Sequence, residues 1–515
     1  MIVWVALLAG VGQAASFAPS GLWGLQTLSL AALAALAWRQ APGRAALLGW
    51  AFGIGWFGAG LWWLFISLHD FGGLASPLAG LAVLLLAAFL ALYPAAALAV
   101  WARVCGERPV GERPGGERPE GERPVGERPG RRVLLFACAW SAAELARASW
   151  FTGFPWIAGG YAHSDGPLAA WAPWVGVYGM GALSAGVAAA LAALRARSRL
   201  RALPLLLTLP LALAGTLLPS QFSTPVGTLR VSLLQPAVPQ SQKFDAAHVE
   251  RNLDRLLEQM EAARAPLVVA PESVLPLPLA YVRAEQQERL YAASRERTIW
   301  FGTFLGDERQ GFVNSMLALR QGESVHSYGK RHLLPFGEFI PPGLDWFVRA
   351  LNIPIDSQQA GTHQRPLQID GLRLRALICY EVLFGEDIAA SAVDGPDAAE
   401  VFVNTSNLAW FGRLMVQDQH LQFIRLRALE FQRPVLHATN TGATAQVDHR
   451  GRVLARLAPL VRGQLDVTVE GRRGSTPYAR WLHAAGLWPL WALALAPLLA
   501  PWLGSIWADR RRPAP

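Results

Sequence analysis

Leu374-Arg375-Ala376-Leu377-Ile378-Cys379-Tyr380-Glu381 is the stretch that decides the fold. An apolar, strand-like run ends on a cysteine, and the ends of strands are where layered α/β sheets place their reactive groups. Cys379 is one of three cysteines in 515 residues and the only one in the polar part of the chain. It therefore has no disulfide partner there. Upstream, Glu272 follows the apolar run Leu267-Val268-Val269-Ala270, and Lys330 lies in Tyr328-Gly329-Lys330-Arg331-His332. A carboxylate, an ammonium and a thiol arriving from separate strand ends can form a covalent acyl-transfer site.

The surrounding residues, 228–470, alternate between strand-like and helix-like runs. Candidate strands are Leu229–Leu234, Leu267–Ala270, Thr298–Phe304, Asn314–Leu319, Leu372–Ile378, Val401–Asn404, Val435–Thr439 and Ala445–Asp448. Candidate helices are Ala246–Ala263, Ala284–Arg295 and Gln417–Phe431. The alternation predicts a layered α/β domain. An ordinary thiol is mostly protonated at neutral pH, with a pKa of about 8.5. Glu272 can take its proton, and Lys330 with a backbone N–H near Cys379 can stabilise the oxyanion formed on an ester carbonyl. The product is a thioester that a second nucleophile discharges.

This domain is framed by apolar sequence. Hydrophobic residues make up 52% of the chain and charged residues 16%, too apolar for a soluble protein of this size. Apolar stretches fall at 1–18, 20–38, 45–67, 74–102, 133–150, 167–193, 203–219 and 482–508. Most approach the roughly 17–25 residues of a membrane-spanning helix. The first lacks a basic leader and reads as a span rather than a secretory signal. The expected organisation is seven spans in 1–219, an extramembrane domain at 220–481, and an eighth span at 482–508.

The net charge of +9 would suit nucleic acid or an anionic membrane. The arginines cluster at the ends of apolar runs, which favours the membrane and argues against nucleic acid. Arg39, Arg44, Arg103 to Arg132, Arg195 to Arg201 and Arg510 to Arg512 all fall on one side of an eight-span arrangement. The positive-inside rule makes that side cytoplasmic. Residues 220–481 then face outward, into the periplasm if the cell is Gram-negative. Residues 106–130 repeat Gly-Glu-Arg-Pro-X, too rich in proline, glycine and charge to fold, and read as a low-complexity cytoplasmic loop.

Three further features bear on function. Glu144 and Arg147, three apart on one helix face, read either as a structural pair or as a site for a lipid headgroup. The run from Phe336 to Val348, with Trp346 and Pro341-Pro342-Gly343, is apolar for a loop outside the membrane. It reads as a membrane-facing lid or as ordinary core. There is no zinc-finger cysteine spacing and no P-loop, so no metal or cofactor is expected.

Glu272, Lys330 and Cys379, in this order and with these neighbours, resemble the triad of the nitrilase (carbon–nitrogen hydrolase) superfamily. The eight-span frame resembles its membrane-embedded branch, the apolipoprotein N-acyltransferases. Other matching motifs are Phe57 to Gly73, Gly153-Phe154-Pro155-Trp156, Gln235 with Pro239-Gln240, and Lys330 to Glu338. Asn404 to Gly412, Gln419-His420 to Arg433-Pro434, and Asn440-Thr441-Gly442 match as well. The resemblance implies an αββα sandwich inserted in a transmembrane bundle. It implies transfer of an acyl chain from a phospholipid, through Cys379, to the α-amino group of a diacylglyceryl N-terminal cysteine of a lipoprotein. It implies an inner-membrane location and supporting roles for Glu338, Tyr380, Glu381, Trp410 and Phe244. A monomer in contact with membrane lipid is expected.

Two positions depart from the family pattern. Phe244 stands where the family has tryptophan, and Leu408 where it has aspartate. One rival reading is a membrane-tethered amidase, in which water discharges the thioester. Another is a transporter, which would need charged residues at the midplane of several spans.

Overall fold

The computed structural model describes residues 1–106, 128–196, 198–309, 311–340, 343 and 357–510, with the side chains of 246 and 501–510 left out. Most of the Gly-Glu-Arg-Pro repeat, and Trp346, lie outside the described residues. The chain forms two compact units, Met1–Trp62 with Leu81–Leu218 and Leu487–Pro515, and Trp63–Gly80 with Pro219–Gly486. Trp63–Gly80 groups with the second unit although the sequence places it among the spans.

The first unit is helical. Ser76–Cys105 and Pro167–Ala193 are long and apolar enough to cross a membrane. Among the described residues the count reaches four if two interrupted pairs, Pro42–Gly60 with Leu64–Phe71 and Pro477–Ala485 with Trp488–Ala500, each make one span. The expected stretch at 45–67 is thus broken after Gly60. Stretches 1–18, 20–38 and 203–219 form the shorter apolar helices Ile2–Ala14, Trp23–Ala37 and Leu203–Leu217. Pro129–Ser149 is long enough but carries Arg131, Arg132, Glu144 and Arg147. Small residues let these helices approach closely. A Cβ on Gly10 would collide with the Phe52 carbonyl, and one on Gly55 with the Leu7 carbonyl.

Glu144 and Arg147 are resolved by their contacts. Arg147 Nη2 donates to Glu144 Oε2 at 3.2 Å, and Nη1 donates to the Phe154 and Trp156 carbonyls at 2.5 and 2.9 Å. Glu144 also accepts from the Gly159 N–H at 3.1 Å. The guanidinium lies 5.5 and 5.3 Å from the Trp56 and Phe57 rings. The pair ties the Phe154–Gly159 turn to its helix, and the adjoining cavity of about 10 Å³ is too small for a headgroup.

The second unit is an αββα sandwich. Its strands are β1 Ser223–Gln235, β2 Leu267–Val269, β3 Thr298–Asp307, β4 Gly311–Arg320, β5 Glu323–Gly329, β6 Leu367–Ile369, β7 Leu372–Ile378, β8 Val401–Ser406, β9 Val435–Thr439, β10 Ala445–Val447, β11 Val453–Arg456 and β12 Gly463–Gly474. One sheet has the order β12-β1-β2-β3-β4-β5 and the other β11-β10-β9-β8-β7-β6. Strands β1, β2 and β3 run parallel, as do β7, β8 and β9.

Side-chain alternation builds two cores. Val231, Leu233, Leu267, Val269 and Trp300 face Leu374, Ala376, Val401, Val403 and Leu436 between the sheets. The intervening Val268, Ile299 and Phe301 point outward onto Leu253, Leu256, Leu257 and Met260 of helix Ala246–Ala262. Helix Val416–Phe431 lies against β9 and β10 of the second sheet.

Leu374 is fully buried between the sheets. Leu374→Ala is expected to cost about 2–5 kcal/mol, read by thermal unfolding of detergent-solubilised protein. A cost below about 1 kcal/mol would contradict this packing.

Candidate active site

Each triad residue leaves the end of a strand. Glu272 follows β2, Lys330 follows β5 and Cys379 follows β7. Parallel strands aim their C-terminal ends at one rim, so β2 and β7 deliver the Glu272 carboxylate and the Cys379 thiol from opposite sheets.

The turn at Cys379 is sharp. Its φ is +50°, a left-handed conformation that a residue with a Cβ adopts only when its surroundings hold it. Glu381 supplies much of that hold. Its Oε2 accepts from Ile378 N–H at 2.7 Å, and its Oε1 accepts from the Tyr328 hydroxyl at 2.8 Å and Arg331 N–H at 2.7 Å. One buried carboxylate therefore couples the Cys379 turn to the strand that delivers Lys330. On the other side, Asn404 Nδ2 donates to the Cys379 carbonyl at 3.3 Å, and His420 Nε2 lies 3.3 Å from the same oxygen.

The charges form a compact network. Lys330 Nζ is 3.5 Å from Glu272 Oε1 and 2.7 Å from Glu338 Oε1. Asn314 Nδ2 donates to both carboxylates, at 2.8 Å to Glu272 and 3.1 Å to Glu338. Glu272 Oε2 accepts from Asn407 N–H at 2.9 Å, and Glu338 Oε2 from Leu334 N–H at 2.8 Å. Glu272, Lys330 and Glu338 are 6%, 1% and 8% exposed, so these bonds replace nearly all their solvation.

The network sets where protons rest. Burial pushes the Glu272 pKa up, but Lys330, Asn314, Lys243 and the Asn407 N–H outweigh it and hold the carboxyl below its ordinary value. Burial opposes the Lys330 ammonium, yet Glu338 and Glu272 hold it above the ordinary lysine value. Cys379 keeps some exposed surface. Its protein surroundings, then Glu272 and Glu338, raise its thiol pKa against Lys330. These directions favour the proton on sulfur, an ionised Glu272 and a charged Lys330. That distribution suits proton transfer from Cys379 to Glu272 during attack.

The remaining expected residues fall around this centre. Tyr380 is buried, with its ring 5.2 Å from Phe384 and 5.9 Å from His332. Phe244 is exposed, 6.1 Å from the half-buried Trp410 ring, which meets Phe71 at 5.8 Å. Trp63 packs on Phe411 at 4.8 Å and donates to Gln419 Oε1 at 3.2 Å. Segment Trp63–Gly80 thus supports the loop that carries Trp410. Leu408 is buried, as suits its apolar side chain.

Sequence reasoning missed Asn314, Asn407, Lys243 and His420. Asn314 lay inside a predicted strand, Asn407 and His420 inside quoted motifs, and Lys243 next to Phe244. For Asn314 and Asn407 the signal was a polar side chain at an otherwise apolar strand end, whereas Lys243 and His420 lie on helices.

Glu381→Gln removes an acceptor that buried N–H groups require. It is expected to destabilise the protein by about 1–3 kcal/mol and to slow alkylation of Cys379. A variant matching wild type in both would contradict the coupling role.

Two family models match the chain. The apolipoprotein N-acyltransferase N-terminal domain covers residues 9–190, and carbon-nitrogen hydrolase covers 230–478. An apolipoprotein N-acyltransferase of Verminephrobacter eiseniae is 44% identical over 94% of this chain and 92% of its own. One of Ralstonia nicotianae is 41% identical over 94% of this chain and 90% of its own. One of Bordetella bronchiseptica is 41% identical over 92% of each. With relatives this similar along nearly its whole length, the chain belongs to the apolipoprotein N-acyltransferase family.

Proposed function

We propose that this chain acylates lipoproteins in two half-reactions through Cys379. Glu272 takes the Sγ proton as sulfur attacks a phospholipid ester carbonyl. The Lys330 ammonium and a backbone N–H near Cys379 bear the oxyanion's charge. The intermediate collapses, the C–O bond breaks, and Glu272 returns the proton to the departing alcohol oxygen of the lysophospholipid. The acyl chain is then a thioester on Cys379. The α-amino group of a diacylglyceryl N-terminal cysteine attacks it, Glu272 takes the amine proton, the C–S bond breaks, and Glu272 passes that proton to the departing sulfur. The thiol is restored and an amide is formed. No metal or cofactor enters either step.

The observation that carries this reading is the buried cluster at the strand ends, Lys330 Nζ 3.5 Å from Glu272 and 2.7 Å from Glu338 with Cys379 at the neighbouring strand end, in a chain of this family. The amine has an ordinary pKa of about 7.7–8.0, so a base is useful in the second step as well. Phe244, Trp410 and Phe71 offer an aromatic surface beside the catalytic centre suited to lipid chains. The apolar helices and the family place the protein in a membrane. Eight spans, cytoplasmic termini and a periplasmic catalytic domain complete the proposed arrangement, supported by apolar periodicity and the arginine distribution.

The test is turnover by full-length protein with phospholipid and a diacylglyceryl-cysteine peptide. The wild type should yield N-acylated peptide and lysophospholipid in equal amounts. Cys379→Ala should yield neither. Full activity in Cys379→Ala would overturn the assignment, and free fatty acid in place of acylated peptide would favour the amidase-like use of water.

A further inference from the structure

One buried charge beside the triad has no part in the steps above. Lys243 ends the short helix Gln240–Lys243, between β1 and helix Ala246–Ala262. Its neighbour Phe244 is 49% exposed, but Lys243 is turned inward to 4%. Its Nζ donates to the Glu272 carbonyl at 3.2 Å and to Ser273 Oγ at 2.9 Å. Ser273 has a left-handed φ of +43°, so the main chain just after the base is itself strained. Burying a lysine is costly unless its charge and donors are used. Here two acceptors belong to the base and its neighbour.

We propose that Lys243 is a positioning residue for the acyl transfer, clamping the Glu272–Ser273 main chain and supplying a second positive charge to the Glu272–Cys379 pair. This rests on Glu272 acting as the base. Glu272 faces Lys330 and Lys243 as cations, Cys379 as the proton donor, and Asn314 and Asn407 as neutral donors. Glu338 lies across Lys330, and His420 is held neutral by burial, its pKa near 4. Lys243 faces Glu272 and Cys379, both of which favour its charged form. Burial is the larger influence and lowers its pKa to about 7.

The sign follows. Below pH 7 the ammonium is present and helps keep Glu272 ionised. Above pH 7 it is progressively lost, and the thiol loses one favourable charge.

The test is the pH dependence of Cys379 alkylation by iodoacetamide, in full-length protein, for wild type, Glu272→Gln, Lys243→Gln and Lys243→Arg. Lys243→Gln keeps a donor and removes the charge, and its acid limb should move up by about one pH unit. Lys243→Arg keeps the charge at all pH. Its acid limb should match wild type, and it should alkylate up to about tenfold faster above pH 8, one unit of thiol pKa. Glu272→Gln should lose the acid limb altogether. If Glu272→Gln keeps the wild-type profile, the base assignment fails, whatever Lys243 does. If Glu272→Gln behaves as expected but Lys243→Gln is slowed equally at every pH, Lys243 is merely structural and the proposal is overturned. Should Lys243→Gln not fold, a Lys243→Arg profile identical to wild type above pH 7 overturns it.

Discussion

The Lys330 ammonium is the interaction on which the site depends. Two carboxylates, Glu272 and Glu338, are buried within reach of its Nζ. Lys330 contributes most to holding the buried Glu272 carboxyl ionised, with Asn314 and Lys243 beside it. Asn314 reinforces the arrangement by donating to both carboxylates from one side-chain nitrogen. Backbone N–H groups from Leu334 and Asn407 add a further donor to each carboxylate.

The fold exists to bring those groups together. The two sheets contribute the strand ends that carry Glu272 and Cys379, and Lys330 comes from an edge strand, β5. Glu381 makes two of the three ends answer to one another, since a single carboxylate binds the main chain before Cys379 and the loop after Lys330. The strained φ of Cys379 is tolerated because donors converge on its carbonyl. The cost of the turn is met by interactions that also fix the sulfur's position.

Much of this was legible in the sequence, and the gaps have physical causes. All eight predicted strands of the sandwich are present, with β7 and β9 matching at both ends. The four that were not predicted, β5, β6, β11 and β12, are the edges of the two sheets. Edge strands carry polar and charged residues, such as Glu323 and His326 in β5 or Asp466, Glu470 and Arg472 in β12, so they lack the apolar run that marks a central strand. Glu272 and Cys379 were legible as candidates because each stood at the end of an apolar strand, whereas Lys330, after the polar β5, was legible from the motif Lys330 to Glu338. Asn314, Asn407 and Lys243 were not, because their use depends on neighbours distant in sequence. Broken helices account for the membrane region. Composition marked the stretch at 45–67 as continuous, but the helix ends at Gly60, and Trp63–Gly80 packs with the catalytic unit.

The central claim is that Cys379 carries the acyl chain between donor and acceptor. Intact-protein mass spectrometry after incubation with phospholipid alone tests it most directly. The account predicts an acyl adduct that maps to Cys379, persists in water, and is cleared when the diacylglyceryl-cysteine peptide is added. An adduct mapping elsewhere, or peptide acylation by protein that never carries one, would contradict it.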